Sequence, residues 1–376
     1  MKFQVERTEL ADAVAWTARS LPARPPVPVL AGLLLDATGG GLSLSGFDFE
    51  VAAQAAVDVT IAEQGRALVS GRLLAEIVRS LPNAPVDISD EGGRIVIACG
   101  PSRFTLPTLP VEDYPALPAL PPIAGSVPAG TFAAAVAQVV VAAGRDDTLP
   151  VLTGVRVEIE GDRLTLAATD RYRLAMRELA WRPEGSDLPA AALVPGRTLA
   201  DAAKALAGDE GDVTIALGSG ATGESLIGFA NDARRTTTRL LDGEYPRYRS
   251  LIPDGHEALA SVPTATLIDA LRRVALVAQR TSPVRLSFES GSLLLEAGTG
   301  DEAQAAERLE VEFTGEPLTI AFNPTFLLDG LGALDNPTAR LAFTDPKRPA
   351  VLTGGDGEGG DAYSYLLMPV RLSQPS

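Results

Sequence analysis

The sequence predicts an α+β protein of three repeated domains, each with two helices packed on antiparallel sheets. Three observations carry that expectation: segments that recur along the chain, a helix–strands–helix–strands order inside each recurrence, and proline-rich breaks between them. Val29-Leu30-Ala31-Gly32-Leu33-Leu34-Leu35-Asp36 matches Val151-Leu152-Thr153-Gly154-Val155-Arg156-Val157-Glu158, and the alignment runs without a gap to Asp48 and Asp170. Both copies read as a strand, a glycine-containing turn (Gly39-Gly40-Gly41; Gly161-Asp162) and a second strand. A fainter third copy runs from Val284 to Glu289, turns at Ser290-Gly291-Ser292 and continues through Leu293 to Glu296.

Each repeat opens on a helix, expected over Thr8–Leu21, Gly130–Ala143 and Thr264–Gln279. A second helix starts where a strand ends: at Val69-Ser70-Gly71-Arg72, at Val194-Pro195-Gly196-Arg197 and, more loosely, at Phe322-Asn323-Pro324-Thr325. Leu73, Ile77 and Leu81 recur at helical spacing and are expected to bury one face on a sheet. Breaks at Leu117-Pro118-Ala119-Leu120-Pro121-Pro122 and at Leu251-Ile252-Pro253-Asp254-Gly255 place the domains at 1–121, 122–252 and 253–376. The chain closes on an apolar stretch, Tyr363 to Leu372. Tyr363–Leu367 suits a strand, and Pro369 is expected to stop its ladder. Two readings stand for the residues beyond that strand: the sticky end of a sheet edge, or half of a groove for a partner peptide.

Composition narrows the class. With 46% hydrophobic residues in 376, wholesale disorder is excluded. A single cysteine, Cys99, rules out an internal disulfide framework and fits a reducing compartment. Met1-Lys2-Phe3-Gln4-Val5-Glu6-Arg7 meets charge where a signal peptide needs an apolar core, so a cytoplasmic protein is expected, with no membrane partner. The apolar stretch Thr131–Ala143 is too short to span a bilayer.

Catalytic constellations are missing. The lone histidine, His256, sits in a linker with no adjacent nucleophile. Neither a His-based zinc site nor Cys-x-x-Cys can be assembled, and none of Lys2, Lys204 and Lys347 belongs to a phosphate-binding glycine loop. Asp48 and Asp170 recur at matching positions, either as turn residues carried along by the repeat or as one half each of a carboxylate dyad. Acidic turns at Asp87 and Asp90, and at Asp356, Glu358 and Asp361, lack the ligand order of a calcium loop. No metal, cofactor or enzymatic activity is expected.

Formal charge is −16, from 32 basic and 48 acidic residues, yet the basic residues recur in register. Arg72, Glu76 and Arg79 share one helix face, and Arg197, Asp201 and Lys204 repeat it. The third repeat has Thr325, Asp329 and Gly332 there and places Asp269, Arg272 and Arg273 on its first helix instead. Such a face is either solvated and internally paired or a positive surface for a phosphate backbone, segregated from an acidic remainder. With few aromatics and no base-reading motif, contact with DNA would be independent of sequence.

Six motifs occur in order: Arg24-Pro25-Pro26-Val27-Pro28-Val29-Leu30, Leu109-Pro110-Val111-Glu112-Asp113-Tyr114-Pro115, Thr169-Asp170-Arg171-Tyr172-Arg173-Leu174-Ala175, Tyr245-Pro246-Arg247-Tyr248-Arg249, Phe322-Asn323-Pro324 and Met368-Pro369-Val370-Arg371-Leu372. Together they resemble the bacterial sliding clamp family, the beta subunits of DNA polymerase III, over essentially the whole length. The alanine, proline and arginine bias is similar to that of actinobacterial proteins. The resemblance implies a head-to-tail homodimer, a ring of six similar domains with its helices lining a hole for duplex DNA. It implies DNA contacts at Arg24, Arg72, Arg79, Arg197, Lys204, Arg272 and Arg273. It also implies a partner-peptide groove walled by Leu152, Thr169, Arg171, Tyr172, Arg173, Leu174, Pro246 and Leu251. Asn323, Phe326, Leu367, Met368, Pro369, Val370, Arg371 and Leu372 complete it. Implied partners are the replicative polymerase's alpha-type subunit, the clamp loader, repair polymerases and ligase-type clamp-binding proteins. Three alternatives stay open: a second-copy clamp with a specialised role such as tolerance of a clamp-binding inhibitor, an enzyme using Asp48 and Asp170, and an interaction protein without DNA.

Overall fold

Two helices form in each repeat: α1 (Arg7–Thr17), α2 (Gly71–Ser80), α3 (Ala129–Val140), α4 (Gly196–Leu206), α5 (Thr264–Val274) and α6 (Pro324–Gly332). They belong to a computed structural model that describes residues 1–184, 190–208, 211–218, 225–253, 255–278, 282–298, 303–355 and 363–371. The opening helices are shorter than their apolar spacing suggests. Thr17 Oγ1 donates to the Ala13 carbonyl at 2.8 Å, and Ser20 Oγ donates to the Thr17 carbonyl at 2.8 Å. Hydroxyls that compete in this way weaken the helical ladder, and α1 gives way to a 3-10 turn at Ala18–Ser20. α5 passes into a similar turn at Ala275–Val277, and Gln279 lies outside the described residues.

The buried stripe of α2 differs from the one expected. Leu74, Ile77, Val78 and the following Leu81 are buried, while Leu73 is 44% exposed. A strict four-residue spacing such as 73, 77, 81 drifts around a helix of 3.6 residues per turn, whereas 74, 77, 78, 81 stays on one face. Arg72, Glu76 and Arg79 accordingly point to solvent.

Among the described residues, antiparallel strands build three sheets of fourteen, nine and four strands. Two of these ladders run across the expected domain boundaries, because the outer strands of one repeat find their partners in the next. Val51–Val57 pairs with Arg234–Arg239, with Thr236 opposite Ala53. Arg173–Ala180 pairs with the final strand Tyr363–Leu367, with Ala175 opposite Tyr365. With strands shared in this way, contacts group the described chain into two compact units: Met1–Gly130 with Arg182–Ser186 and Asp201–Leu240, and Thr131–Trp181 with Asp187–Ala200 and Leu241–Ser376. The first holds the fourteen-stranded sheet with α1 packed on α2; in the second, α5 packs on α6.

The final strand is not an edge. It lies between Arg173–Ala180 and Ala350–Gly354, and Tyr363, Tyr365, Leu366 and Leu367 are all buried. The ladder ends at Leu367, ahead of Pro369 as expected, but the chain beyond it stays tied down: the Met368 N–H donates to the Tyr172 carbonyl at 2.9 Å and the Val370 N–H to the Ala321 carbonyl at 2.8 Å. Among the described residues, no helix is long and apolar enough to cross a membrane.

α6 meets this strand at Gly330. A Cβ there would stand 2.5 Å from Tyr365 Cε1, and the tyrosine is held in place because its hydroxyl donates to the Phe326 carbonyl at 2.7 Å. Alanine improves a helix interior by about 1 kcal/mol over glycine, but overpacking a filled core costs about 1–3 kcal/mol. Gly330→Ala is therefore expected to lower the thermal unfolding midpoint. An unchanged or higher midpoint would show that Tyr365 has room to yield.

Candidate functional site

The turn between strands Arg163–Thr169 and Arg173–Ala180 is built by two side chains. Asp170 Oδ1 accepts the backbone N–H groups of Tyr172 and Arg173 at 3.0 and 3.1 Å. Thr169 Oγ1 accepts the Arg171 N–H at 3.2 Å and donates to the Arg173 carbonyl at 2.7 Å. These four bonds hold Arg171 at φ +79°, a left-handed conformation that costs a residue with a Cβ about 1 kcal/mol. Asp48 does the same in the first repeat, accepting Glu50 and Val51 N–H groups at 3.0 and 2.6 Å, with Phe49 at φ +73°. The matching aspartates are turn residues, which decides against the carboxylate dyad.

The turn points Arg173 inward, where its side chain is 4% exposed. Its Nε donates to Asp170 Oδ2 at 3.0 Å, and a terminal nitrogen reaches Asp329 Oδ2 on α6 at 2.5 Å and the Tyr365 hydroxyl at 3.5 Å. The guanidinium also lies 4.3 Å from the centroid of the Phe326 ring. Burial alone would weaken its charge, but the carboxylate of Asp329 and the Tyr365 oxygen hold its pKa above the ordinary arginine value. Phe326 comes from the first turn of α6, which Asn323 caps by accepting the Thr325 and Phe326 N–H groups at 2.9 and 3.4 Å. Tyr172, 57% exposed, stacks on Phe326 with centroids 6.2 Å apart and planes at 27°.

Above this floor opens a cavity of about 590 Å³. Leu149, Leu152, Tyr172 and Phe326 give it apolar walls, and Arg145, Arg171 and Asp146 carry charge at its lining. Of the residues the resemblance assigned to a groove, Leu152, Arg171, Tyr172, Arg173 and Phe326 meet here. Thr169, Leu174 and Leu367 are buried, while Met368, Val370 and Arg371 are exposed, Pro369 is half-buried, and Leu372 lies outside the described residues. Asp329, Leu149 and Arg145 were not legible as pocket residues. The only signal for Asp329 is its match to Glu76 and Asp201 in the helix repeat.

Pro246 faces a second cavity of about 370 Å³ with Arg156, Glu158, Tyr248 and Arg249. Here Glu158 accepts from the Tyr248 hydroxyl at 2.8 Å, from Arg249 at 2.9 Å and from Arg156 Nε at 3.3 Å. Burial would raise the Glu158 pKa, but the bonds from Tyr248 and Arg249 outweigh it and hold the carboxyl below its usual 4.5. This carboxylate pins the Tyr245–Leu251 segment to the sheet, leaving Leu251 51% exposed beyond it.

All seven basic residues assigned to DNA are exposed: Arg24, Arg72, Arg79, Arg197, Lys204, Arg272 and Arg273. They are not equally free. Arg273 donates twice to Glu307, at 2.5 and 2.9 Å, and Arg272 lies 3.7 Å from Asp269. Arg72 donates to the Pro22 carbonyl at 3.2 Å. Among the described residues, no cluster of His, Cys, Asp and Glu could hold a metal ion.

A repeat-built α+β chain with two helices per domain, sheets continuous across the repeats and an apolar pocket beside the last strand defines a sliding clamp. Residues 1–118, 126–247 and 249–371 match in turn the N-terminal, central and C-terminal domains of the DNA polymerase III beta subunit. The chain is 60% identical to the beta sliding clamp of Streptomyces coelicolor, over 99% of this chain and 100% of that one. It is 44% identical to the beta sliding clamp homolog GriR of Streptomyces muensis, with the same coverage. The DNA polymerase III subunit beta of Pseudomonas aeruginosa bound to griselimycin superposes with a TM-score of 0.92 at 30% identity, covering 99% of this chain and 100% of that one. The sliding clamp of Bacillus subtilis, at 28% identity and the same coverage, gives 0.90. The chain belongs to the DNA polymerase III beta subunit family, the beta sliding clamps.

The Glu158 linkage sets a pH dependence. A carboxyl with a depressed folded pKa contributes fully above its unfolded value near 4.5 and loses that contribution as pH falls through the folded value. Residues 245–251 are therefore expected to lose amide-exchange protection, corrected for intrinsic rates, as pH falls below the unfolded value and through the depressed folded one. Glu158→Gln should remove that step, and a step that persists in the variant would place the titrating group elsewhere.

Proposed function

We propose that this clamp acts without catalysis as a processivity factor in the cytoplasm, at the nucleoid. Two copies associate head to tail into a ring around duplex DNA, and the pocket over Arg173 holds short apolar segments of its partners. The observation that carries the reading is the recurrence of exposed cations on equivalent helices, Arg72 and Arg79 on α2 and Arg197 and Lys204 on α4, in a chain of net charge −16. A ring holds DNA by topology, so individual phosphate contacts can be weak, water-mediated and blind to sequence, which permits sliding. Arg24, Arg272 and Arg273 extend the same set. Its three domains are taken as 1–121, 122–252 and 253–376, near the three matched ranges.

Free strand edges support head-to-tail association. Ser102–Leu109 pairs along its length with Arg94–Cys99 but meets Arg66–Ser70 only at Thr108 and Leu109. Ala305–Glu310 borders the four-stranded sheet. A heterologous interface joins two different surfaces, and these are two different edges among the described residues. Leu276, in the turn that follows α5, is 84% exposed and would be covered in such a contact.

The pocket would receive an extended or one-turn peptide from the replicative polymerase, the clamp loader, repair polymerases or ligase-type proteins. Leu149, Leu152, Tyr172 and Phe326 would take its apolar side chains, and carbonyls of the chain at Met368–Arg371, whose Met368 and Val370 N–H groups are already bonded, would accept main-chain contacts. Identity is higher to the Streptomyces coelicolor clamp than to the homolog GriR, which favours a general replication clamp over a specialised second copy.

Two measurements test this reading. Light scattering should give a dimer at micromolar concentration, and a clamp loader should leave the protein retained on nicked circular DNA and released on linearisation. Reversing Arg72, Arg79, Arg197 and Lys204 together should cut that retention severalfold. A monomer, or retention indifferent to the reversal, would sink the DNA reading. Removing residues 368–372 should abolish binding of a polymerase-tail peptide and leave the dimer intact; a monomeric truncation would show that the segment serves assembly instead.

A further inference from the structure

The pocket depends on a carboxylate that none of its assigned wall residues supplies. Arg173 is buried under the cavity with three donor groups to satisfy, and Asp170 is already heavily engaged. One Asp170 oxygen accepts two backbone N–H groups, and the other takes Arg173 Nε. For the terminal nitrogen Nη1 the carboxylate is Asp329, at 2.5 Å. The Tyr365 hydroxyl, 3.5 Å away, spends its own proton on the Phe326 carbonyl. A buried guanidinium that loses a carboxylate partner is driven to find water, and the nearest opening is the cavity above it.

We propose that Asp329 is the positioning residue of the peptide pocket. It sits one turn beyond Phe326 on α6, so the two side chains share a helix face. By anchoring Arg173, Asp329 fixes the guanidinium 4.3 Å from the Phe326 ring, and Phe326 in turn backs Tyr172, the exposed aromatic of the pocket wall. Asp329 also borders the cavity, but its bonded partner is Arg173, and it is through Arg173 and Phe326 that it shapes the wall. In its absence Arg173 swings up into the space the peptide occupies. The chain of contacts runs from α6 of the third repeat to the turn of the second, so it also aligns the two pieces of chain that wall the pocket. The proposal rests on the pocket being the peptide site.

The test uses the full-length dimer and a fluorescein-labelled peptide copying the tail of the cell's replicative polymerase. Asp329→Asn is expected to weaken peptide binding at least about tenfold, with the dimer intact and DNA retention unchanged. Asp329→Glu, which keeps the charge on a longer arm, should recover part of the loss, and Asp335→Asn, an exposed carboxylate beyond the same helix, should change nothing. A double-mutant cycle separates positioning from direct contact. The effects of Asp329→Asn and Phe326→Ala should be strongly non-additive, because both act through one wall, whereas Asp329→Asn and Leu152→Ala should add. If Asp329→Asn fails to fold, Asp329→Glu carries the same cycle. Wild-type affinity in Asp329→Asn, or additivity with Phe326→Ala, would overturn the proposal while leaving the pocket reading in place. Failure of the unmodified protein to bind the peptide would overturn the pocket reading itself.

Discussion

A buried arginine has to be surrounded before anything can be built on top of it. Removing one partner from a buried, hydrogen-bonded ion pair costs about 3–5 kcal/mol, while an exposed pair such as Arg272 with Asp269 is worth about 0–1 kcal/mol. The Arg173 cluster is therefore the costliest local arrangement to disturb in this part of the chain. The surrounding elements are consistent with that rank. The turn at Asp170–Tyr172 accepts a left-handed residue to aim the side chain, α6 is capped by Asn323 so that its first turn is fixed, and Tyr365 is locked between Gly330 and the Phe326 carbonyl. The apolar pocket is the upper surface of this polar core.

The helix faces obey a different logic. Arg79, Arg197 and Lys204 project into solvent, where water screens them and their side chains stay free to exchange partners. Arg273 is held by Glu307, yet both side chains are reachable from solvent, so a phosphate could compete with the carboxylate without a large desolvation cost. Strong, buried ion pairing at the pocket and weak, exposed charge on the helices divide the molecule's electrostatics into a fixed part and an exchangeable part.

Local signals in the chain were the readable ones. The order of helices and strands, the start of α2 at Gly71 and α4 at Gly196, and the span Tyr363–Leu367 all result from periodicity, glycine and proline placement over a few residues. Periodicity cannot express partner choice. Tyr363–Leu367 reads as an edge because only one of its partners, Ala350–Gly354, is near in sequence; the other, Arg173–Ala180, belongs to another repeat. Arg173 entered the site through family likeness as a wall, and its burial depends on Asp329, 156 residues away. Leu73 reads as part of the buried stripe because a four-residue spacing resembles the helical period over two turns, and the drift becomes visible only when the sheet beneath selects a face.

The turn that carries the pocket exists twice. In the first repeat, Asp48 organises it, Phe49 takes the left-handed position, and Arg239 Nε binds the Phe49 carbonyl at 3.0 Å, tying the turn to the strand that crosses from the second repeat. In the second repeat, the same backbone scaffold presents Arg171 and Tyr172 to an open cavity. One copy of the turn is thus committed to a sheet through a carbonyl, which any side chain can present. The other, on the proposed reading, faces an outside ligand, so there the exposed side chains rather than the path of the backbone would set what binds.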